Sequence, residues 1–443
     1  MNHSSQILIR CLGVCDGTLS VAGDTRHPAA MLVEQEKAGL HVLACGSAES
    51  IESHPASASI AQTIDCTDAV VMPGIINAHT HLDLTVIGPL PHEPGDGFVN
   101  WVHRIREGRP SEPEAITASV EQGVAMSRAG GVVAVGDIAG NVGGAASLAS
   151  ATALRRTGMA GVSYIEFFAI GTTERERVAA AIDLVREHHH TFTGRHRIGL
   201  QPHATNTVSA SAYRRAIEAA KDLGLPVMTH LAESPEEREF VAHASGPQRE
   251  LLEGLGLWTP SLDDEFGNGA SPVEQLAPVL AGSRTAAVHV NQCSDADLER
   301  LVAAQLPVVY CPRASAYFGA EQHFGPHRYR DMLDAGLTVA IGTDSIVNLP
   351  AGTDRISPLD DIRLLSSRDG TDAGTLIRMI TSNAASVLGI DPGAVSIAPG
   401  SRPIGVVAVA VAEHEIRNPA ASIVRSESAP RLLFDVSADV LPE

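Results

Sequence analysis

The chain has 443 residues, of which 44% are hydrophobic and 19% are charged, and this balance predicts a protein that folds throughout its length. Its formal net charge is −20, from 52 acidic and 32 basic residues, which disfavours nucleic acid and anionic membranes as partners. No stretch approaches the roughly 18 consecutive apolar residues that a membrane span needs.

The first residues, MNHSSQ, lack the basic and apolar regions of a signal peptide. The six cysteines show no paired spacing of the kind that marks thiolate metal sites or disulfide frameworks. We therefore expect a cytoplasmic protein with reduced cysteines that acts on a small molecule. A homo-oligomer is compatible with the sequence.

Both ends of the chain contain short apolar runs that read as strands. ILIRCLGVC, AAMLVEQ and HVLACG lie within the first 70 residues and are separated by clusters of Gly, Asp and Ser. VVAVAVAEHEI, near residues 406–416, has the same character. We predict that residues 1–70 and 398–443 pair as one small β-sandwich domain.

Residues 71–345 repeat one theme, in which a short β-branched run is followed by a helical stretch rich in Ala, Leu, Glu and Arg. Such alternation predicts βα units, and eight of them favour a closed barrel over an open sheet. We predict a (β/α)8 TIM barrel over residues 71–397. The eight strand candidates are VVMPGII, GVVAVGD, GVSYIEFF, RIGLQPH, LPVMTH, TAAVHV, LPVVYCP and LTVAIGTD.

A long segment rich in Gly and Pro, residues 245–275, follows the fifth strand candidate. Long connections of this kind on a barrel either cover the substrate or form an ordinary surface excursion. The sequence leaves both readings open.

Ionisable residues recur at the ends of the strand candidates. His79 and His81 follow the first run, and residues two apart on a strand project to the same face. His230, His289 and Asp344 close the fifth, sixth and eighth runs. Because the active site of a barrel lies at the carboxyl ends of its strands, we expect these side chains to converge. Imidazole and carboxylate ligands suit Zn²⁺, and Fe²⁺ and Mn²⁺ remain open.

The segments PGIINAHTHLD, HLAE, the strand of His289 and GTDS together resemble the amidohydrolase superfamily over nearly the whole chain. Members of that superfamily hold either two metal ions, bridged by a carbamylated lysine on the fourth strand, or one ion without it. The only lysines here are Lys37, near the N-terminus, and Lys221, in a predicted helix. The resemblance therefore implies one divalent metal ion.

The closest resemblance is to the mononuclear deaminases of purines, pterins, cytosine, S-adenosylhomocysteine and triazines. Carried over by position, the resemblance implies that Glu233 shuttles protons to the ring and the leaving amine, that Asp344 is the general base, and that His289 stabilises the attacking oxygen. The metal ligands that it implies are His79, His81, His230 and Asp344.

Each of these roles has a structural alternative. Glu233 precedes a predicted helix, where an acidic residue is stabilised by the helix dipole without any catalytic role. His289 could be a core histidine bound to a carbonyl, and Asp344 could be a turn residue.

Four further residues are candidates for substrate binding. His203 lies in a PHAxxTVS segment that in related deaminases places a histidine against the substrate, and Trp101 lies where relatives cover the bound ring. Glu166 ends the third strand candidate, and Arg313 follows the seventh with donors suited to a carboxylate, phosphate or carbonyl. The alternatives are loop structure for His203, packing against the first helix for Trp101 and support of another side chain for Glu166.

We predict a metal-dependent hydrolytic deaminase of an amino-substituted heterocycle, an adenine-containing nucleoside or purine-like ring, that releases ammonia. The first alternative is hydrolysis of another C–N bond, in a cyclic amide, imidazolone, urea or N-alkyl triazine, at the same metal site. The second is a barrel that binds a metal or ligand without catalysis. Fold and metal site are shared across many chemistries, so neither chooses the substrate.

Overall fold

A computed structural model describes residues 5–36, 39–92, 97–412, 414 and 416–435 of the chain. Fifteen strands lie within these residues and are numbered β1 to β15 in chain order. They form two separate sheets, one of eight strands and one of seven.

The eight-stranded sheet is the predicted barrel. Neighbouring strands pair in parallel in the order β13-β12-β11-β10-β9-β8-β7-β6. A parallel bridge between Thr80 and Asp344 joins the two ends of this order and closes the sheet. Its strands are β6 (Ile75–Thr80), β7 (Val132–Ala139), β8 (Ala160–Phe167), β9 (His196–Pro202), β10 (Val227–Leu231), β11 (Thr285–His289), β12 (Val308–Tyr310) and β13 (Val339–Ile341).

Helices surround the barrel, and capping residues that can be recognised in the sequence mark where helices begin and end. In α6, Ser209 Oγ accepts the backbone N–H of Ala212, and Gly224 ends the helix in the left-handed conformation. The described helices are α1 (Ala48–Glu52), α2 (Phe98–Gly108), α3 (Pro113–Ala129), α4 (Ala149–Arg156), α5 (Glu174–His188), α6 (Ala210–Leu223), α7 (Pro235–His243), α8 (Pro247–Gly254), α9 (Pro260–Glu265), α10 (Pro272–Leu280), α11 (Asp295–Ala304), α12 (Pro312–Tyr317), α13 (Ala320–Phe324), α14 (Tyr329–Asp334), α15 (Pro358–Asp369), α16 (Ala373–Met379), α17 (Ser382–Leu388) and α18 (Pro419–Arg425).

The main hydrophobic core lies between the barrel and these helices. It joins strand residues such as Val135 and Leu200 to helix residues such as Val120 and Ala216. Burial of both faces of the strands explains why their sequences are continuous apolar runs and not alternating patterns. The prediction of a (β/α)8 barrel is confirmed.

The second sheet is built from both chain ends, as predicted. Its order is β15-β14-β5-β1-β3-β4, and β2 pairs with β1. The C-terminal strand β14 lies antiparallel to β5, which carries the chain into the barrel. The strands are β1 (Ser5–Cys15), β2 (Ser20–Ala22), β3 (Ala29–Glu36), β4 (Gly39–Ser47), β5 (Ile60–Pro73), β14 (Gly405–Ala410) and β15 (Pro430–Asp435).

The first predicted barrel strand, VVMPGII, was wrong in its first half. Val71, Met72 and Pro73 end β5 in the second sheet, and the barrel strand begins only at Ile75. Gly74 lies between the two sheets, where a Cβ would stand 2.6 Å from the side chain of Val133. Both halves of VVMPGII are buried, so the apolar run does not show that the chain passes from the second sheet into the barrel at Gly74.

Residues 245–275 form α8, α9 and the start of α10. Leu252, Leu262 and Phe266 pack with Ile170 and Phe240 in a small core of their own. This arrangement fits the surface excursion better than a cover over the strand ends. No helix among the described residues has the length and apolarity to cross a membrane, and the cytoplasmic location stays a prediction.

Candidate active site and metal centre

The end of β6 supplies two imidazoles to the barrel mouth. His79 is fully buried, and its ring centroid lies 5.0 Å from that of His81. His79 Nδ1 lies 3.3 Å from Met228 Sδ, whereas its Nε2 has no hydrogen-bond partner among the described residues. A buried nitrogen without a partner is costly unless a ligand occupies it.

His230, at the end of β10, brings a third imidazole to the same place. Its ring centroid lies 5.1 Å from that of His79 and 5.6 Å from that of His81. The side-chain amide nitrogen of Gln201, on β9, lies 3.4 Å from His230 Nδ1. A contact of this kind at Nδ1 leaves Nε2 of His230 available as a ligand atom.

Asp344, directly after β13, adds a carboxylate. Its Oδ1 lies 3.4 Å from His81 Nε2 and 3.8 Å from His79 Nε2. Its Oδ2 accepts a hydrogen bond of 2.8 Å from the amide of Asn348, which leaves Oδ1 directed at the histidines. Burial raises the pKa of Asp344 to about 7.

These donors fit one divalent cation. Burial holds the pKa values of His79 and His81 well below their usual range and lowers that of His230 to about 3, so all three imidazoles are neutral and can ligate. Candidate ligand atoms of His79, His81 and Asp344 lie within 4.8 Å of one another, and those of His79, His230 and His289 form a second such group. His79 is common to both groups. Of the two lysines, Lys221 is exposed on α6, and Lys37 lies outside the described residues.

A carboxyl group and a fourth imidazole stand beside this set. Glu233 Oε1 lies 3.5 Å from His289 Nε2, and Glu233, His289 and Asp344 have candidate ligand atoms within 4.8 Å of one another. Burial, followed by the nearby charge of Asp344, raises the pKa of Glu233 well above its usual range. A carboxyl group in this state can carry a proton at neutral pH.

Backbone strain is concentrated at these strand ends. Six non-glycine residues in the described part of the chain have positive φ, and four of them lie here. They are Ala232 at 54°, His289 at 73°, Val290 at 51° and Asp344 at 56°. A left-handed β-branched residue is rare, and each such conformation costs about 1–3 kcal/mol. Strain of this kind is typical of sites where the direction of a side chain matters more than stability.

The third and fourth strands place two of the predicted substrate residues close together. His203 Nδ1 lies 2.8 Å from Thr207 Oγ1, and its Nε2 lies 4.0 Å from Glu166 Oε1. Glu166 Oε2 accepts a hydrogen bond from Asn141. The ring of His203 is 5.0 Å from that of His230, which is one of the candidate metal ligands.

Arg109 belongs to this neighbourhood, although the sequence analysis did not identify it. Its guanidinium lies 3.0 Å from Asp83 Oδ2 and 3.6 Å from Glu166 Oε2. A Cβ on Gly140 would lie 1.9 Å from Arg109 Nη2, so the glycine leaves room for the guanidinium. A lone arginine at the C-terminal end of α2 carries no motif that could have revealed this position.

The two remaining predicted substrate residues, Trp101 and Arg313, contact other side chains of the protein. The ring of Trp101, on α2, packs edge-on against Phe318 at 5.1 Å between ring centroids. Arg313 donates 2.7 Å to the fully buried carboxylate of Asp361 and also binds the carbonyl of Ser357. A substrate contact by Arg313 would therefore require this ion pair to break.

A cavity of about 100 Å³ opens onto Glu233 and is lined by His92, Phe318 and His323 among others. A larger one, about 390 Å³, lies at the other end of the barrel, beside the starts of β12 and β13. The larger cavity has no titratable lining residue, whereas the smaller one reaches a carboxyl group with a raised pKa. Of these two cavities, the smaller one therefore adjoins a candidate catalytic residue.

Residues 70–415 match the model of the amidohydrolase family, which spans most of the chain. The chain belongs to this family. The resemblance inferred from the HTHLD, HLAE and GTDS segments is thus confirmed, and with it the prediction of a hydrolase of the amidohydrolase class.

Two similar proteins and one solved structure extend the comparison. The 5-methylthioadenosine/S-adenosylhomocysteine deaminase of Haloarcula marismortui is 26% identical over 347 residues, which cover 74% of this chain and 71% of that protein. The aminodeoxyfutalosine deaminase of Deinococcus radiodurans is 27% identical over 357 residues, with coverages of 75% and 76%. The zinc-bound adenosine deaminase of Xanthomonas campestris shares the fold, with a TM-score of 0.69 at 19% identity and coverages of 99% and 95%.

Proposed function

We propose that this amidohydrolase is a metal-dependent hydrolytic deaminase of an adenine-containing nucleoside, which releases ammonia. The observation that carries the proposal is the position of the partly buried Glu233 carboxyl group, 3.5 Å from His289 and beside Asp344, together with its raised pKa. Replacement of an aromatic amine by water requires a group that can protonate the ring and then the departing amine. Glu233 meets that requirement at neutral pH.

The roles of the residues follow from their positions. Asp344, with Oδ2 held by Asn348, directs Oδ1 into the site and would take a proton from the attacking water. Glu233 would deliver its proton to the ring nitrogen next to the reacting carbon. The proton held by Asp344 would then pass to the amine, which leaves as ammonia, and the hydroxyl proton would return to Glu233 as the carbonyl forms. His289, neutral because of burial, would donate a hydrogen bond to the incoming oxygen.

His79, His81, His230 and Asp344 would hold the metal ion. When bound, a divalent cation supplies the Lewis acidity that makes water a nucleophile at neutral pH. Zinc is our first choice, because three imidazoles and one carboxylate suit it and because the Xanthomonas campestris structure contains it. Fe²⁺ and Mn²⁺ are the alternatives.

The adenine ring is proposed from the names of the two relatives, both of which deaminate adenine nucleosides and cover about three quarters of this chain. His203 and Glu166, whose Nε2 and Oε1 atoms lie 4.0 Å apart, would contact the substrate. Trp101 and Phe318 would form an apolar wall near the cavity that opens onto Glu233.

The proposal is tested by incubating the zinc-loaded protein with adenosine, 5-methylthioadenosine, S-adenosylhomocysteine and aminodeoxyfutalosine while ammonia is measured. We expect stoichiometric ammonia from at least one nucleoside and a product about one mass unit heavier than the substrate. A product heavier by a whole water, about 18 mass units, would instead support hydrolysis of a ring or another C–N bond at the same site.

Glu233→Gln separates an enzyme from a barrel that only binds ligands. The substitution preserves the size of the side chain and removes the transferable proton, so we expect normal metal content with turnover lost. Glu250→Gln, on α8 and outside the proposed site, is the matched control and should behave as the wild type. Equal turnover in the wild type and Glu233→Gln would contradict the proposed proton transfer.

A further inference from the structure

Glu237 is a buried carboxylate with an unusual set of partners. It lies in the first turn of α7 and is only 3% exposed. Its Oε1 accepts the backbone N–H of Ala232 at 3.1 Å, and its Oε2 accepts that of Glu233 at 2.7 Å. Thr205 Oγ1 donates to Oε1 as well. One carboxylate thus binds two consecutive amides of the segment that carries Glu233.

The same segment is held from the opposite side. The side-chain amide of Asn291 donates 3.0 Å to the carbonyl of Glu233, and Ser315 Oγ donates 2.7 Å to Asn291 Oδ1. Between these two contacts Ala232 adopts its left-handed conformation, with φ of 54°. The peptide units on both sides of Glu233 are therefore fixed by hydrogen bonds.

A capping box between Ser234 and Glu237 explains only part of this geometry. Ser234 Oγ already accepts the N–H of Glu237 and caps α7. The carboxylate of Glu237 reaches beyond that cap to the two residues before it. A carboxyl group whose two oxygens accept two consecutive backbone N–H groups favours one conformation of the strained turn.

We propose that Glu237 is a positioning residue for the proton transfer, with Asn291 as its counterpart across the Glu233 backbone. Glu237 touches neither substrate nor metal, and it acts by holding Glu233 against His289. This inference rests on the proposed function, in which Glu233 carries the proton. A displacement of about 1 Å at such a group costs up to about 100-fold in rate.

The test compares Glu237→Gln with Glu239→Gln, an exposed residue of the same helix that bonds to Ser245. Gln at 237 keeps the length and one acceptor oxygen, but its amide nitrogen would face a backbone N–H, donor against donor. We expect kcat to fall about 10- to 100-fold with KM and metal content unchanged. The Glu239→Gln variant should match the wild type in kcat, KM and metal content.

Crystal structures of the wild type and Glu237→Gln supply a second readout that does not depend on activity. We expect the 232–233 peptide to rotate and Glu233 Oε1 to move from its 3.5 Å approach to His289 Nε2 in the variant. If Glu237→Gln does not fold, Asn291→Ala removes the opposite contact and is expected to have the same two effects.

Unchanged kcat in folded Glu237→Gln, or a Glu233 carboxyl group that stays in place, would overturn the inference. A lower melting temperature with normal kcat would assign Glu237 a structural role only. If the wild type releases no ammonia from any nucleoside, the proposed deamination fails, and the two crystal structures alone decide whether Glu237 positions Glu233.

Discussion

The ion pair between Arg313 and Asp361 yields a prediction that separates a structural role from substrate binding. Asp361 is 0% exposed and receives two hydrogen bonds from Arg313, one from the backbone N–H at 3.2 Å and one from the guanidinium at 2.7 Å. Arg313→Met keeps an apolar stem of similar length and leaves the carboxylate buried without its charged partner. Such a loss costs about 3–5 kcal/mol.

The expected shift in melting temperature follows from the size of the chain. With an unfolding entropy of about 2.1 cal/mol/K per residue over 443 residues, that loss lowers Tm by about 3–5 °C. Differential scanning calorimetry measures the shift, and ammonia release measures KM in the same preparation. A structural pair predicts a lower Tm with KM unchanged.

Two controls sharpen the comparison. The double variant Arg313→Met, Asp361→Asn removes the unpaired charge and is expected to recover most of the lost stability. Arg402→Met breaks a pair with Glu36 on the surface of the second sheet, where salt bridges contribute little, and is expected to leave Tm unchanged. An unchanged Tm with a KM raised tenfold or more in Arg313→Met would refute the structural assignment and restore the predicted substrate contact.

Three further predictions concern single side chains. Asn348→Ala removes the 2.8 Å hydrogen bond to Asp344. We expect the metal affinity, measured by competition with a chelator, to fall about 10- to 100-fold. An unchanged affinity would show that this hydrogen bond is not needed for metal binding. Burial lowers the pKa of His196 from its ordinary 6.5 to about 4. Between these two pH values the unfolded chain binds a proton that the folded chain does not. The free energy of unfolding therefore falls as the pH drops from about 6.5 to about 4. The urea midpoint of His196→Gln should therefore depend less on pH over that window than the midpoint of the wild type. An equal pH dependence in the two proteins would show that His196 is not the cause. Gly140→Ala places a Cβ 1.9 Å from Arg109 Nη2 and so displaces the guanidinium from Glu166, a predicted substrate residue. We therefore expect a raised KM with metal content retained. Wild-type kinetics would show that Arg109 does not position Glu166 for the substrate.

The residues that reach the proposed site were predictable because they stand at the ends of apolar runs that can be recognised as strands in the sequence. His79 and His81 stand two apart at the end of an apolar run, and His230, His289 and Asp344 each follow another run. A barrel brings the ends of its parallel strands together, so position along each strand was enough to place these side chains near one another.

The residues that hold the site were not predictable in this way. Asn291 binds the Glu233 carbonyl across 58 positions of sequence, and Gln201 reaches His230 across 29. Asn, Gln and Glu in loops and helix ends are common, and their partners emerge only when the chain folds. The boundary between the two sheets at Gly74, within VVMPGII, was also not predictable, because apolar residues occur in the buried strands of either sheet.

The central claim is a single divalent metal ion held by the three imidazoles and the carboxylate at the barrel mouth. Elemental analysis of the purified protein and of the His79→Ala, His81→Ala variant tests it most directly. We expect about one zinc or iron per chain in the wild type and none in the variant. A ratio near two would contradict the mononuclear site, and a ratio near zero that no added metal restores would contradict the metal-dependent mechanism as a whole.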